Sequence, residues 1–313
     1  MYGGISEEFL YLCAVFFENG HSKMRFTKMH GLGNDYIYID CMDGSFGGDD
    51  SSIINDNARL EEISARLSNR HLGIGGDGIV MILPSSIADF RMRIFNADGS
   101  EARMCGNASR CIGKYVYDNK LTTSTDITLE TASGVKYLHL TVADGVVESV
   151  TVDMGEPDFV PATIPVIPGA DGGNVDIPVT LSSGKECRLT AVSMGNPHGV
   201  MFVDDLATVD VHGVGAELER HAMWPDRANI EFAQVVSPSE VVMRVWERGS
   251  GETMACGTGS CATAVAAALT GRTNREVTIK LLGGDLKIRW DENSNHVFMT
   301  GTATTVFVGE VAL

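Results

Sequence analysis

The sequence predicts an α+β protein of two pseudo-symmetric α/β halves, each a strongly curved, mostly antiparallel sheet wrapped around a central helix. Three observations lead there. First, two segments repeat one pattern: Arg93-Ile94-Phe95 leads to Cys105-Gly106-Asn107, and Arg244-Val245-Trp246 leads to Cys256-Gly257-Thr258. In both, the cysteine follows the arginine by twelve residues and a glutamate, Glu101 or Glu252, by four. Second, most of the chain reads as short strands broken by glycine, asparagine and aspartate. Third, the run from Ala262 to Ala268 is small and apolar on every side, which marks a buried helix rather than a surface one.

Taken in order, residues 1–23 read as an N-terminal extension, and the regular pattern starts near Met24. The apolar run from Phe9 to Phe17 follows Glu7 and Glu8, where a secretion signal carries positive charge, so it is not read as one. Strands are predicted at 36–41, 78–83, 90–95, 127–131, 135–142 and 146–153. The second half offers 200–203, 230–236, 241–246, 277–281, 286–290 and 296–300, with 305–309 closing the chain. Gly134, Asp144-Gly145 and Gly283-Gly284 mark hairpin turns. A helix over 57–70 places Leu60, Ile63 and Leu67 on one face behind Asp56 or Asn57 as N-cap. A second helix follows Cys105, and the third covers 260–269. The halves are 24–149, completed by the last strand in 302–313, and 150–301. A proline-rich stretch from Pro157 to Pro178 lies just beyond that boundary. Gly33-Asn34 and Gly195-Asn196, each ahead of an apolar run, add a further echo between the halves.

A net charge of −17 argues against nucleic-acid or anionic-membrane partners, which select basic surfaces. No apolar run approaches the ~20 residues of a membrane span. The seven cysteines have no disulfide-framework spacing, so a reduced, cytoplasmic setting is expected. Cys105/Cys111 and Cys256/Cys261 also lack the spacing of zinc pairs, and no metal is expected.

Two thiols, one from each half, suit a single substrate held between them. One can take a proton while the other gives one, which inverts a carbon centre without a cofactor. A helix N-terminus favours the thiolate, and the backbone N–H groups behind each cysteine can bind a carboxylate. Donors aimed at that carboxylate stabilise charge developing at the adjacent α-carbon. Taken alone, either cysteine could be a small buried turn residue; their matched places in a repeat argue otherwise. His198, in Met194-Gly195-Asn196-Pro197-His198, is either a base beside one thiol or a structural histidine. Glu247-Arg248 is either a recognition pair for ammonium and carboxylate or a solvated ion pair. Gly73-Ile74-Gly75-Gly76-Asp77-Gly78 has the spacing of a dinucleotide fingerprint, but a helix precedes it and a strand follows, the reverse of the required context. Gly257-Thr258-Gly259-Ser260 lacks the lysine of a phosphate loop, and no lysine has a recognisable pyridoxal-phosphate setting.

Together the segments resemble the diaminopimelate epimerase family. The matching stretches are Lys28 to Asp35, Asn69 to Gly78, Phe95 to Asn107, Met194 to His198, Asn229, and Glu247 to Gly259. The resemblance runs from about Met24 to the C-terminus. It implies an isomerase that interconverts LL- and meso-2,6-diaminopimelate by cofactor-independent two-base transfer, in lysine and peptidoglycan-precursor synthesis. It implies Cys105 and Cys256 as the two bases, with His198 and Glu247 as their proton partners. Gly106, Asn107, Gly257 and Thr258 would supply donors to the reacting carboxylate. Asn34, Asn96, Asn196, Asn229, Glu247 and Arg248 match positions that hold the ammonium groups and distal carboxylate. It also implies a homodimer. Departures are Ala108-Ser109 in place of the commoner Gly-Ala, and Gly78 where some members carry glutamine. The first 23 residues have no counterpart.

The nearest alternatives are the proline racemases and hydroxyproline epimerases, which usually carry histidine where Asn107 stands and lack the Glu-Arg pair. A Cys–His hydrolase built on Cys256 and His198 leaves the repeated Cys105 segment unexplained. A non-catalytic binding relative has no need of both cysteines.

Overall fold

A computed structural model of the chain describes residues 23–43, 46 and 51–312. The extension therefore lies outside the described residues except for Lys23, which opens the first strand. The first half runs β1 (Lys23–Gly31), β2 (Asn34–Asp40), α1 (Asn57–Ser68), β3 (Gly78–Leu83), β4 (Phe90–Asn96) and β5 (Glu101–Ala102). It continues through α2 (Gly106–Asp118), β6 (Asp126–Thr131), β7 (Gly134–Ala143) and β8 (Val146–Asp153). Asp56 caps α1 through the Arg59 N–H, and Leu60, Ile63 and Leu67 are buried, as their spacing requires. The helix stops at Ser68 because Asn69 turns extended and its side chain accepts the N–H groups of His71 and Leu72.

After β9 (Ile177–Thr180), the second half repeats this plan: β10 (Glu186–Ser193), β11 (Pro197–Phe202), α3 (Val211–Glu219), β12 (Asn229–Ser237), β13 (Glu240–Glu247) and β14 (Gly251–Glu252). Then come α4 (Gly257–Leu269), β15 (Glu276–Leu281), β16 (Gly284–Trp290), β17 (Val297–Gly301) and, last, β18 (Thr304–Ala312). Two parallel pairs recur at matched places, β2–β3 with β11–β12 and β4–β6 with β13–β15. The other pairings are antiparallel. The halves join where β8 pairs with β17, Val152 opposite Met299, so residues 149 and 150 both lie inside the joining strand. Each half also receives an edge strand from beyond the other: β9, after β8, pairs with β10, and β18, after β17, pairs with β1.

Each cysteine-led helix is the core of its half. α2 packs on β1, β7 and β8, and α4 on β10, β11, β12, β15, β16 and β17, so strands from both ends of each sheet meet one helix. Gly113 lets the sheet approach α2, since a Cβ there would lie 2.9 Å from Leu140. The sequence patterns missed β1, β9, β10 and α3, and the two-residue β5 and β14. Pro178 belongs to β9, where an edge position leaves its missing N–H harmless. Two glycines blur the period of α3, yet Gly215 is where that helix meets Trp246.

Candidate active site

The repeat becomes one piece of geometry used twice. Arg93 grips Glu101 through Nε at 2.8 Å and Nη2 at 3.0 Å, and Arg244 grips Glu252 at 2.6 and 2.9 Å. These bidentate pairs latch β5 to β4 and β14 to β13, just ahead of each cysteine; the repeated charges are scaffold. Cys105 then N-caps α2, its sulfur accepting the Ala108 N–H at 3.5 Å, and Cys256 N-caps α4 through the Gly259 N–H at 3.4 Å. The next-turn serines close both caps, Ser109 on the Cys105 carbonyl at 3.0 Å and Ser260 on the Cys256 carbonyl at 2.8 Å.

Met299 on β17 brings the two helix starts together. A Cβ on Gly106 would lie 2.6 Å from its methyl carbon, and one on Gly257 3.0 Å from its sulfur, so both positions need glycine. Asn107 crosses the same junction, donating at 3.3 Å to the Ala255 carbonyl and at 3.3 Å to Asn34 Oδ1. Asn34 Oδ1 is also 3.5 Å from the Cys105 sulfur. Asp77 holds that amide through Asn34 Nδ2 at 2.8 Å, accepts the Asp35 N–H at 2.9 Å, and is tied by Arg70 to Asp35.

The surroundings of the two thiols differ. Burial, with the Glu247 carboxylate adding to it, pushes the Cys105 thiol up; the Ala108 and Asn107 N–H groups and then the Arg110 guanidinium pull it back. Arg110 is buried beneath the turn, reaching the Thr302 carbonyl and the Met299 sulfur, and among the described residues its Nη2 has no partner. Cys256 is pushed much further, by burial and then by the carboxylates of Glu247 and Glu231. The expectation that the helix starts lower both thiols is therefore corrected. Their N–H groups act in that direction, but desolvation outweighs them and both thiols rise.

Glu247, at the end of β13, accepts from Thr253 and the Cys256 thiol, while burial raises its carboxyl. His198 is fully buried; Nδ1 lies 2.7 Å from Glu231 Oε1 and Nε2 3.0 Å from Asn196 Oδ1, so neither nitrogen faces a sulfur here. Asn196 Nδ2 donates to Thr258 Oγ1 at 3.4 Å, and that hydroxyl is 3.6 Å from the Cys256 sulfur. Asn229 donates to the Pro197 carbonyl at 3.3 Å and accepts the Arg248 N–H at 2.9 Å. The Arg248 side chain reaches the Asp226 carbonyl at 3.0 Å, and Asn96 Nδ2 donates to Ser100 Oγ at 3.1 Å. Asn96 is thus engaged within its own turn and Arg248 on the loop at Asp226, neither at a thiol.

Sequence reasoning missed Glu231, Asp77, Arg110, Thr253 and Tyr36. The signal for Glu231 was a lone acid inside Ile230-Glu231-Phe232-Ala233, but β12 is buried on both faces over these residues and period-two alternation is lost. Tyr36 fills the space beside Gly78, where a Cβ would meet its ring at 2.9 Å and the Phe95 carbonyl at 2.0 Å. No group of three or more histidine, cysteine or carboxylate side chains suited to a metal occurs among the described residues.

The sequence model of the family described as Diaminopimelate epimerase matches residues 26–160 and 190–306. A diaminopimelate epimerase of Acetivibrio thermocellus is 51% identical over 290 residues, covering 93% of this chain and 99% of its own. One from Methanococcus maripaludis is 50% identical, covering 92% and 99%. Among solved structures, a hydroxyproline epimerase from Agrobacterium vitis superposes with a TM-score of 0.67 at 17% identity, covering 93% of this chain and 92% of that one. A PhzF-family phenazine biosynthesis protein from Bacillus anthracis gives 0.64 at 16%, covering 93% and 99%. At such identity these two share the fold alone.

Proposed function

The chain belongs to the diaminopimelate epimerase family, isomerases of lysine biosynthesis, and from that premise we propose that Cys105 and Cys256 are the two bases that interconvert LL- and meso-2,6-diaminopimelate. The observation that carries this is the twin N-cap geometry, two free thiols on two helix starts that meet over Met299. One sulfur, as thiolate, takes the α-proton; the opposite thiol delivers its proton to the other face, and the two have exchanged states. In this reading the N–H groups that open α2 and α4 hold the α-carboxylate and stabilise the charge entering it. No cofactor is needed in this scheme.

Burial keeps both thiols protonated in the free enzyme, so one must ionise before the substrate can react. The substrate's own α-ammonium supplies a positive charge that favours this. Cys105 is the easier of the two: Glu247 raises both thiols, but Glu231 adds to this only at Cys256, while Arg110 offsets it only at Cys105. Asn34 and Asn107 orient the Cys105 side, and Glu247 and Thr258 the Cys256 side. Asn96, Asn196, Asn229 and Arg248 are assigned to the ammonium groups and the distal carboxylate once substrate draws the loops in. Closure of the two halves about the β8–β17 seam would exclude water from this charge transfer.

The enzyme is also proposed to act as a homodimer in the cytoplasm. Among the described residues β18 pairs only with β1, and Val306, Phe307 and Val308 on this edge strand are 54%, 46% and 52% exposed. The chemistry needs both sulfurs reduced, which fits a reducing compartment. Among the described residues, no helix is long and apolar enough to cross a membrane.

The test is proton NMR of LL-diaminopimelate with reduced enzyme in D₂O, without cofactor or metal. Loss of the α-proton signal with appearance of the meso isomer is expected. Exchange with proline or hydroxyproline instead would transfer the assignment to the sister racemases.

A further inference from the structure

The loop that carries Arg248 is pinned at the peptide on either side of that residue. The Arg248 N–H is given to Asn229 Oδ1 at 2.9 Å, and the Gly249 N–H to Glu219 Oε1 at 3.1 Å. Glu219 closes α3 and is 2% exposed. Its other oxygen, Oε2, accepts the indole N–H of Trp246 at 2.9 Å. Arg227 Nη1 lies 3.6 Å from Oε1, and the Glu219 carbonyl accepts the Ala228 N–H at 3.3 Å. Arg227 and Ala228 lead directly into Asn229. One buried carboxylate thus ties the strand end that offers Arg248 to the strand start that offers Asn229. The repeat supplies a comparison. Counted from Arg93 and Arg244, the first half has Ala97 where Arg248 stands in the second. There α1 holds the loop with a neutral group: Ser64 donates to the Phe95 and Asn96 carbonyls at 3.0 and 2.8 Å. The charged hub goes with the loop that presents a cation.

We propose that Glu219 is a positioning residue for substrate recognition: it fixes the Arg248 backbone, and with it Asn229, where the distal carboxylate of the substrate docks. The proposal rests on the assignment of Arg248 to that carboxylate. A carboxylate only accepts, and the donors that reach Glu219 come from both segments: an indole N–H and a backbone N–H from one, a guanidinium from the other. Packing does not hold the turn. Arg248, Gly249 and Ser250 are exposed, Gly249 is left-handed with φ 79°, and nothing lies within 4 Å of where a Cβ on it would sit. Hydrogen bonds must therefore set its place. In the free protein the Arg248 guanidinium rests on the Asp226 carbonyl at 3.0 Å, on the same segment that Glu219 holds through Arg227 and Ala228. A guanidinium on a long stem locates a carboxylate well only when its backbone is already fixed, since less ordering then remains to be done on binding. Glu247 is anchored separately, by Thr253. Glu219 thus acts on affinity for the distal end of the substrate and not on proton transfer.

The test is a double-mutant cycle in the epimerisation of LL-diaminopimelate. Glu219→Gln keeps the shape and one acceptor but leaves a donor unmatched. Its KM should rise about tenfold while kcat stays within about twofold of wild type, the signature of lost ground-state binding. In an Arg248→Ala background the same substitution should add less than about twofold, because two residues acting through one contact are not additive. An unchanged KM in Glu219→Gln, a fall in kcat without a change in KM, or the full tenfold effect in the Arg248→Ala background would overturn the proposal. An unchanged KM in Arg248→Ala alone would instead remove the assignment on which it rests, so the two failures are distinct. A measurement that needs no variant is amide hydrogen exchange in the substrate-free wild-type enzyme. The Gly249 N–H should exchange roughly tenfold or more slowly than in an unfolded chain. Exchange at the unfolded rate would equally overturn the proposal.

Discussion

Asn107 on α2 donates a hydrogen bond to the carbonyl of Ala255, the residue before Cys256, at 3.3 Å. A side chain from the helix behind one thiol thus grips the backbone that presents the other. The two halves are aligned at the reacting centre itself and not only along the β8–β17 seam.

That contact can be tested directly. Asn107→Ala removes both the Ala255 and Asn34 ties and leaves the fold's apolar packing untouched. The kcat/KM for LL-diaminopimelate should fall roughly ten- to hundredfold, the equivalent of about 1.4–3 kcal/mol. The melting temperature should move by only a few degrees; a collapse in stability with unchanged kcat/KM would assign the contact to folding instead.

Replacing either sulfur should stop the chemistry and spare the binding. Cys105→Ala and Cys256→Ala should each lose roughly 10³-fold or more in epimerisation while still being stabilised thermally by substrate. Wild-type turnover in either variant would sink the two-base scheme.

The pH profile follows from the raised thiols. A thiol pushed above its ordinary value is protonated at neutral pH, so kcat/KM should climb with pH, by about tenfold per unit well below the governing pKa. The rise should continue beyond the ordinary thiol range of about 8.5. Cys105, backed by Arg110, should be alkylated before Cys256, which Glu247 and Glu231 hold protonated. A profile already flat from pH 6 would mean that a thiolate pre-exists in the free enzyme.

Gly78 is required by its surroundings. A Cβ would meet the Phe95 carbonyl at 2.0 Å and the Tyr36 ring at 2.9 Å. Gly78→Ala should cost about 1–3 kcal/mol in urea unfolding, and a longer side chain should be no better tolerated. Unaltered stability would show that β3 can shift away from β4.

Phe307 reports on assembly. Phe307→Asp places a charge on the exposed apolar edge of β18 and should convert a dimer into monomers of 33.6 kDa by sedimentation. A wild-type protein that already sediments as a monomer would refute the proposed homodimer.

Much of this protein was legible from the chain alone. The cysteine repeat, its glycines and the all-apolar run after Cys256 predicted two related halves, two thiols on helix starts and a buried α4, because each of these is a local or periodic property. The strands at 78–83 and 146–153 fall where hydrophobic runs and turn residues put them. β9 and α3 were obscured by a proline that an edge position accommodates and by two glycines, Gly215 packed against Trp246 and Gly213 against the Asp210 cap.

Tertiary structure decided the rest. The order in which β18 and β9 change halves, the meeting of Gly106 and Gly257 over Met299, and the Glu231–His198 pair all join residues far apart in sequence. The charge state of the thiols also lay beyond the motif. A helix start favours a thiolate wherever it occurs, but the desolvation that reverses this at Cys105 and Cys256 comes from atoms that only the packed halves bring together.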